Sequence, residues 1–329
     1  MSRRTVREGM QRHGARLGSW FVALTLVAVV ALFLSRSGAL PLELQVAAAV
    51  AVFVLTIRNP LWGYLAAVVA LVWPLFQLSP LLMLLIIVPL LLLRNRIVAR
   101  LPWALAVVVA PILVAWQLLA LVPLLAGLFG GKRIGFWAGL LAALWAKLVA
   151  GLAGVAVPEL AALHALPLPF AQISARLAGA EGAATLSLLG AALGGGAAFA
   201  LMHLLQIALW GAAGGLVGEL DQHSEWKRGL RLPIVHTLAP PLLLLWAALY
   251  LVPPLFGAQP WSTFLNYPGP TVGLAVAGLA TGFAASFRSF AQSTAQPTRR
   301  GGHISIRRTT MGALHGPQEE EEPLLIELD

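Results

Sequence analysis

The sequence predicts an all-α fold: a polytopic bundle of about eight to ten spanning or re-entrant transmembrane helices, with a disordered cytoplasmic C-terminal tail. Three observations carry this. Between Leu17 and Leu93 only Arg36, Glu43 and Arg58 interrupt the apolar sequence, and from Leu101 to Gly131 there is no charge at all. The 329 residues are 59% hydrophobic and 11% charged, against about a quarter charged in soluble domains. Ala, Leu, Val and Gly dominate without the alternating polarity of a β-barrel. The 32 glycines and 22 prolines are tolerated because neighbouring membrane helices re-satisfy the freed backbone groups.

Each element follows in order. Residues 1–16 form a basic cytoplasmic segment with Arg3, Arg4, Arg7, Arg12 and Arg16. A first span over 17–34 is retained, because Ser35-Arg36-Ser37 puts a charge where a signal-peptide cleavage site would lie. A second span, 42–57, returns the chain to Arg58-Asn59-Pro60. Residues 61–93 are too long for one span and lie between two basic loops. They read as two short helices, 61–75 and 79–93, broken between Trp73-Pro74 and Ser79-Pro80.

The run 101–131 poses the same problem between Arg100 and Lys132-Arg133. A single tilted span would place Lys132 outside. A hairpin of 101–115 and 117–131, hinged near Pro111 or Trp116-Gln117, keeps it inside and is the favoured reading. Its arms are short of a full crossing, so re-entrant and spanning forms both stay open. A span over 134–157 then runs outward to Pro158-Glu159. An external loop reaches about Gly182, and a long kinked or tilted span over 183–217 returns. Spans over 232–256 and 270–287 follow, and 289–329 is the tail.

The net charge of +9 comes from arginines and lysines that flank apolar spans. The positive-inside rule explains it, places both termini in the cytoplasm of a multi-pass inner-membrane protein, and removes any need for a nucleic-acid partner. With no cysteine in the chain, disulfides and thiolate metal sites are excluded.

Lys147 is the sharpest anomaly, near the middle of the 134–157 span. A charge at mid-bilayer costs about 2.5–3.5 kcal/mol on insertion scales, so such a residue usually faces a bundle interior, a cavity or a partner. Glu219, Glu159 and Glu181 are candidate counter-ions; snorkelling to an interface is the plainer alternative. His203 and Gln206 lie three residues apart and share a helix face. Helix–helix hydrogen bonding is favoured for them over a ligand site. The acidic loop from Glu219 to Glu225 lacks metal-ligand spacing and reads as an ordinary cytoplasmic loop. Gly211/Gly215 and Gly214/Gly218 are GxxxG pairs that suit close packing. No nucleophile elbow, Walker loop or dinucleotide fingerprint occurs. No catalytic, metal or cofactor-binding residue is therefore expected.

The tail carries Arg307-Arg308-Thr309-Thr310, then Glu319 to Glu322 and an apolar end. Thr309 and Thr310 are candidate phosphorylation sites, where each phosphate would add about −1.5 to −2 charge in a basic setting. A Ser/Thr kinase or a phosphothreonine-binding protein is the partner this implies, beside the lipid bilayer; the oligomeric state is left open.

Residues 59–170 contain Trp73-Pro74-Leu75-Phe76, Ala110-Pro111-Ile112-Leu113, Leu121-Val122-Pro123-Leu124-Leu125 and Leu166-Pro167-Leu168-Pro169-Phe170. This third of the chain resembles the C-terminal multi-span membrane domain of certain bacterial Ser/Thr protein kinases. The kinase domain has no counterpart here, so the resemblance implies a signalling setting and no catalytic residue. The first functional expectation is a non-enzymatic membrane scaffold or signalling-associated protein that works through its tail. The alternative is a small-solute or lipid transporter or channel with Lys147 in its intramembrane pathway.

Overall fold

A computed structural model describes residues 3–154, 170–178, 180, 182–191, 193–194, 196–223, 232–258, 260 and 268–295. Among them there is no strand. The helices are α1 (Arg3–Ser37), α2 (Leu42–Arg58), α3 (Pro60–Leu78), α4 (Pro80–Leu92), α5 (Arg94–Val98), α6 (Leu101–Ala115), α7 (Leu121–Leu152), α8 (Phe170–Leu177), α9 (Gly182–Ala191), α10 (Ala197–His223), α11 (Leu232–Tyr250), α12 (Val252–Leu255) and α13 (Gly269–Ala295). Among the described residues five segments are long and apolar enough to cross a membrane: Gly18–Ser37, Pro60–Leu78, Leu121–Leu152, Ala197–Gln222 and Gly269–Arg288. The exposed side chains on these helices are largely apolar, among them Val272, Leu279, Phe283 and Phe287 on α13. Such a surface requires lipid rather than water. The chain is a multi-pass helical membrane protein.

Two packed cores share α6. Leu26, Val30 and Leu34 of α1, Val52 of α2, Tyr64 and Val68 of α3 and Ile87 of α4 close around Leu101 and Leu105 at the start of α6. Ala110 and Val114 at its other end join α7, α10, α11 and α13 through Leu124, Ala142, Ala146, Ala213, Leu245 and Ala277. The second core is rich in alanine and glycine, so its helices approach closely.

The helix α7 is folded back on itself. Gly131 takes φ 78° and ψ 179°, open to glycine and strained for any L side chain. The arms 121–130 and 132–152 run antiparallel from it. A Cβ on Gly135 would collide with the Gly127 Cα and the Gly214 carbonyl, and one on Gly139 would meet Pro123 and the Trp210 carbonyl. The pairs 127/135 and 123/139 are both centred on residue 131. The first arm rises about 15 Å and the second about 31 Å. The hairpin of α6 and 121–130 thus ends partway up the neighbouring arm. Continuing the register sets its tip, 117–120, opposite 142–145.

Several boundaries differ from the sequence reading. The single helix expected over 183–217 is two, α9 and α10. Gly194-Gly195-Gly196 lies between them, and consecutive glycines cost about 1 kcal/mol each in a helix. Gly196, at φ 101°, leaves helical geometry altogether. The last turn of α10 includes Glu219, Asp221 and Gln222, which the sequence reading left in a loop. Ion pairs to Lys132 and Arg288 hold it there. The span expected to reach residue 157 ends at Leu152. Gly154 adopts φ 76°, and Arg176 Nη1 donates to the carbonyls of Gly151 (2.8 Å) and Leu152 (3.2 Å). Within the expected break from Trp73-Pro74 to Ser79-Pro80, α3 accommodates Pro74 and ends before Ser79. Ser79 Oγ is 3.0 Å from Thr185 Oγ1 on α9.

Candidate functional site

Lys147 stands on the second arm of α7, about 22 Å along the helix from Lys132 and five residues before Leu152. Its neighbours one turn away, Ala143 and Ala150, are small and buried, which leaves room for α10 to pack against it. On α10, His203 and Gln206 present one face to Lys147. The Lys147 Nζ is 2.8 Å from His203 Nδ1 and 2.6 Å from Gln206 Oε1. Gln206 Nε2 donates to the Ala248 carbonyl on α11 at 2.9 Å. An ammonium at this distance would donate to Nδ1 of a neutral imidazole whose proton is on Nε2; the roles follow the tautomer.

These three side chains are 2%, 5% and 0% exposed. The lysine amine is held inside the bundle, within hydrogen-bond distance of two side chains from one neighbouring helix. Glu219, a candidate counter-ion, is not at this site. It lies thirteen residues from Gln206 along α10, about 20 Å away, and pairs with Lys132 at 2.7 Å. Glu159 and Glu181 lie outside the described residues, as do Thr309 and Thr310. The arrangement offers a positive charge, an imidazole and an amide at one depth in an apolar bundle. Such a group can bind an anion or pass a proton.

At the Gly131 end, Lys132 and Glu219 pair, and Arg288 Nη2 is 2.5 Å from Asp221 Oδ1. Arg288 also donates through Nη1 to the Leu128 carbonyl and lies over the Phe129 ring, 5.6 Å from its centroid. One end of the bundle therefore gathers the hairpin turn, the last turn of α10 and α13. Lys132 thus lies at the same end as Arg288.

The sequence singled out Lys147, His203 and Gln206 separately, and the fold brings them into one network. It gave no weight to Trp210, and took Gln117 only as part of a candidate hinge. Trp210 lies one turn from Gln206 on the same face, and Gln117 is the only amide in the uncharged 101–131 run. Those two patterns were the available signals. No family model, no curated protein and no solved structure matches this chain.

Proposed function

We propose that the protein is a membrane transporter for a small anionic solute, with Lys147, His203 and Gln206 as its intramembrane site. The carrying observation is the burial of the Lys147 amine against an imidazole and an amide from a second helix, about 22 Å along α7 from Lys132. An ionisable group held within a membrane bundle commonly marks a solute or proton route. Breaks at Ser79 and Gly196 interrupt helices, and transporters use discontinuous helices to form solute sites. The Gly131 end carries Lys132, Arg133 and Arg288, and the positive-inside rule assigns it to the cytoplasm of the inner membrane, with both termini on that side.

The test is flux into proteoliposomes loaded with the purified protein, using chloride, nitrate, acetate and phosphate as probes. Wild type is expected to conduct at least one of them. Lys147→Leu should lower that flux at least tenfold, and Lys147→Arg should retain part of it. Absence of flux for all four anions, or undiminished flux in Lys147→Leu, overturns the reading.

The tail sequence favours a second reading, a signalling scaffold. Arg307-Arg308 before Thr309-Thr310 is a basic frame for phosphorylation, and the kinase-associated resemblance of residues 59–170 points to the same setting. Deleting 289–329 would then abolish recruitment of a kinase or phosphothreonine reader, while Lys147→Leu would leave it intact. A tail that takes no phosphate from a Ser/Thr kinase argues against this reading.

A further inference from the structure

The hairpin tip borders a cavity of about 30 Å³, lined among the described residues by Val114, Gln117, Ala120, Trp210, Leu249 and Leu274 and their neighbours. The volume accommodates about two to three water-sized groups. Trp210 is 2% exposed, and its indole Nε1 is a buried donor with no hydrogen-bond partner among the described residues. Native structures rarely leave such a group unmatched, and each instance calls for a ligand, a water or a function.

Two further features converge on the same space. Among the described residues, Gln117 is the one non-glycine with positive φ, 59°. Strain of this kind clusters at ligand and switch sites. It stands at the tip of a hairpin whose second arm is too short to cross the bilayer. Irregular backbone at membrane depth is tolerated where it is buried in protein or lines a polar cavity. The cavity also adjoins the polar network: Leu249 follows Ala248, which accepts from Gln206.

We infer that this cavity is a binding site for a small uncharged hydrogen-bond acceptor, with Trp210 Nε1 as its donor and the Gln117 amide as a second polar contact. The ligand is water-sized to about four non-hydrogen atoms, and offers an oxygen to the indole. Water and a short solute share this chemistry. The inference does not need Lys147 to lie on a transport route, because occupancy and flux are read by different measurements.

The test is nuclear magnetic resonance of the full chain in lipid nanodiscs, labelled with 15N at tryptophan indoles. Trp210→Phe keeps an aromatic ring, removes the donor, and identifies the resonance by its loss. Should that variant not fold, a nitroxide on Leu118→Cys identifies the resonance in otherwise wild-type protein by broadening it; the chain has no other cysteine. If water is the occupant, the Trp210 indole proton shows cross-relaxation with a bound water. If a solute oxygen is preferred, titration with acetamide shifts that resonance saturably and leaves other indoles in place. Gln117→Leu should weaken whichever signal is seen at least fivefold. A Trp210 indole that neither contacts water nor responds to acetamide overturns the proposal, as does an effect unchanged in Gln117→Leu.

Discussion

Gln206 receives the Lys147 ammonium on its Oε1 at 2.6 Å and donates from its Nε2 to the Ala248 carbonyl at 2.9 Å. One amide therefore connects α7, α10 and α11, and its orientation is set from both sides. Reversing it would aim an NH2 group at the ammonium.

This relationship makes the two partners unequal under mutation. Gln206→Leu removes an acceptor from a buried charge and is expected to cost about 1–3 kcal/mol. Lys147→Leu removes the charge itself and is expected to cost less than Gln206→Leu, since the groups it leaves unmatched, Gln206 Oε1 and His203 Nδ1, are neutral. The double variant should recover most of the loss of Gln206→Leu. Thermal unfolding in detergent reads all three, and strictly additive effects would argue against the shared network.

The glycine contacts sort by space rather than by motif. Gly214→Ala is expected to lower stability by about 1–3 kcal/mol, because its Cβ would meet the Gly135 carbonyl. Gly215, the neighbouring member of the other GxxxG pair, has only ordinary van der Waals contacts, so Gly215→Ala should be tolerated. Gly190 in α9 has open space around it. Gly190→Ala should stabilise by about 0.5–1 kcal/mol through helix propensity. Equal losses at 214 and 215 would contradict the close approach of α7 and α10.

Gln117→Gly relieves a left-handed backbone that costs L-residues roughly 1–2 kcal/mol. It also returns part of that as unfolded-chain entropy. A net gain of about 0.5–1 kcal/mol in thermal unfolding is expected, together with loss of the cavity signal. A large destabilisation would show that the Gln117 side chain is needed chiefly to hold the tip against α13.

The two ion pairs at the Gly131 end should differ. Side chains of Arg288 and Asp221 are 24% and 21% exposed, those of Lys132 and Glu219 65% and 34%. Solvent screening leaves an exposed pair worth about 0–1 kcal/mol. A double-mutant cycle with Arg288→Ala and Asp221→Ala should give a coupling of about 1–3 kcal/mol, which also reflects the Leu128 carbonyl and Phe129 contacts. The Lys132/Glu219 cycle should give less and vanish in high salt.

The shared end makes a topological prediction. Arg133→Cys and Gln222→Cys, both at exposed positions, should react with a membrane-impermeant maleimide from the same side of sealed vesicles. Labelling from opposite sides would contradict the shared end, at which Lys132 pairs with Glu219.

The amino-acid sequence by itself determined that lipid surrounds most of this chain, because long uncharged runs are a one-dimensional property. It also marked Lys147, His203 and Gln206, since a polar residue in such a run is conspicuous without any structure. Prolines and basic turns located the break at Ser79 and the hairpin before Lys132. Tertiary structure decided the rest. Residues 147 and 206 are far apart in the chain, and only the close approach of α7 and α10, permitted where Gly135 and Gly214 meet, brings them within hydrogen-bond range. The same packing places the Trp210 indole, without a partner among the described residues, in one cavity with a strained Gln117. Local patterns cannot encode that relationship, because hydrogen bonds across helices depend on how the helices pack in three dimensions.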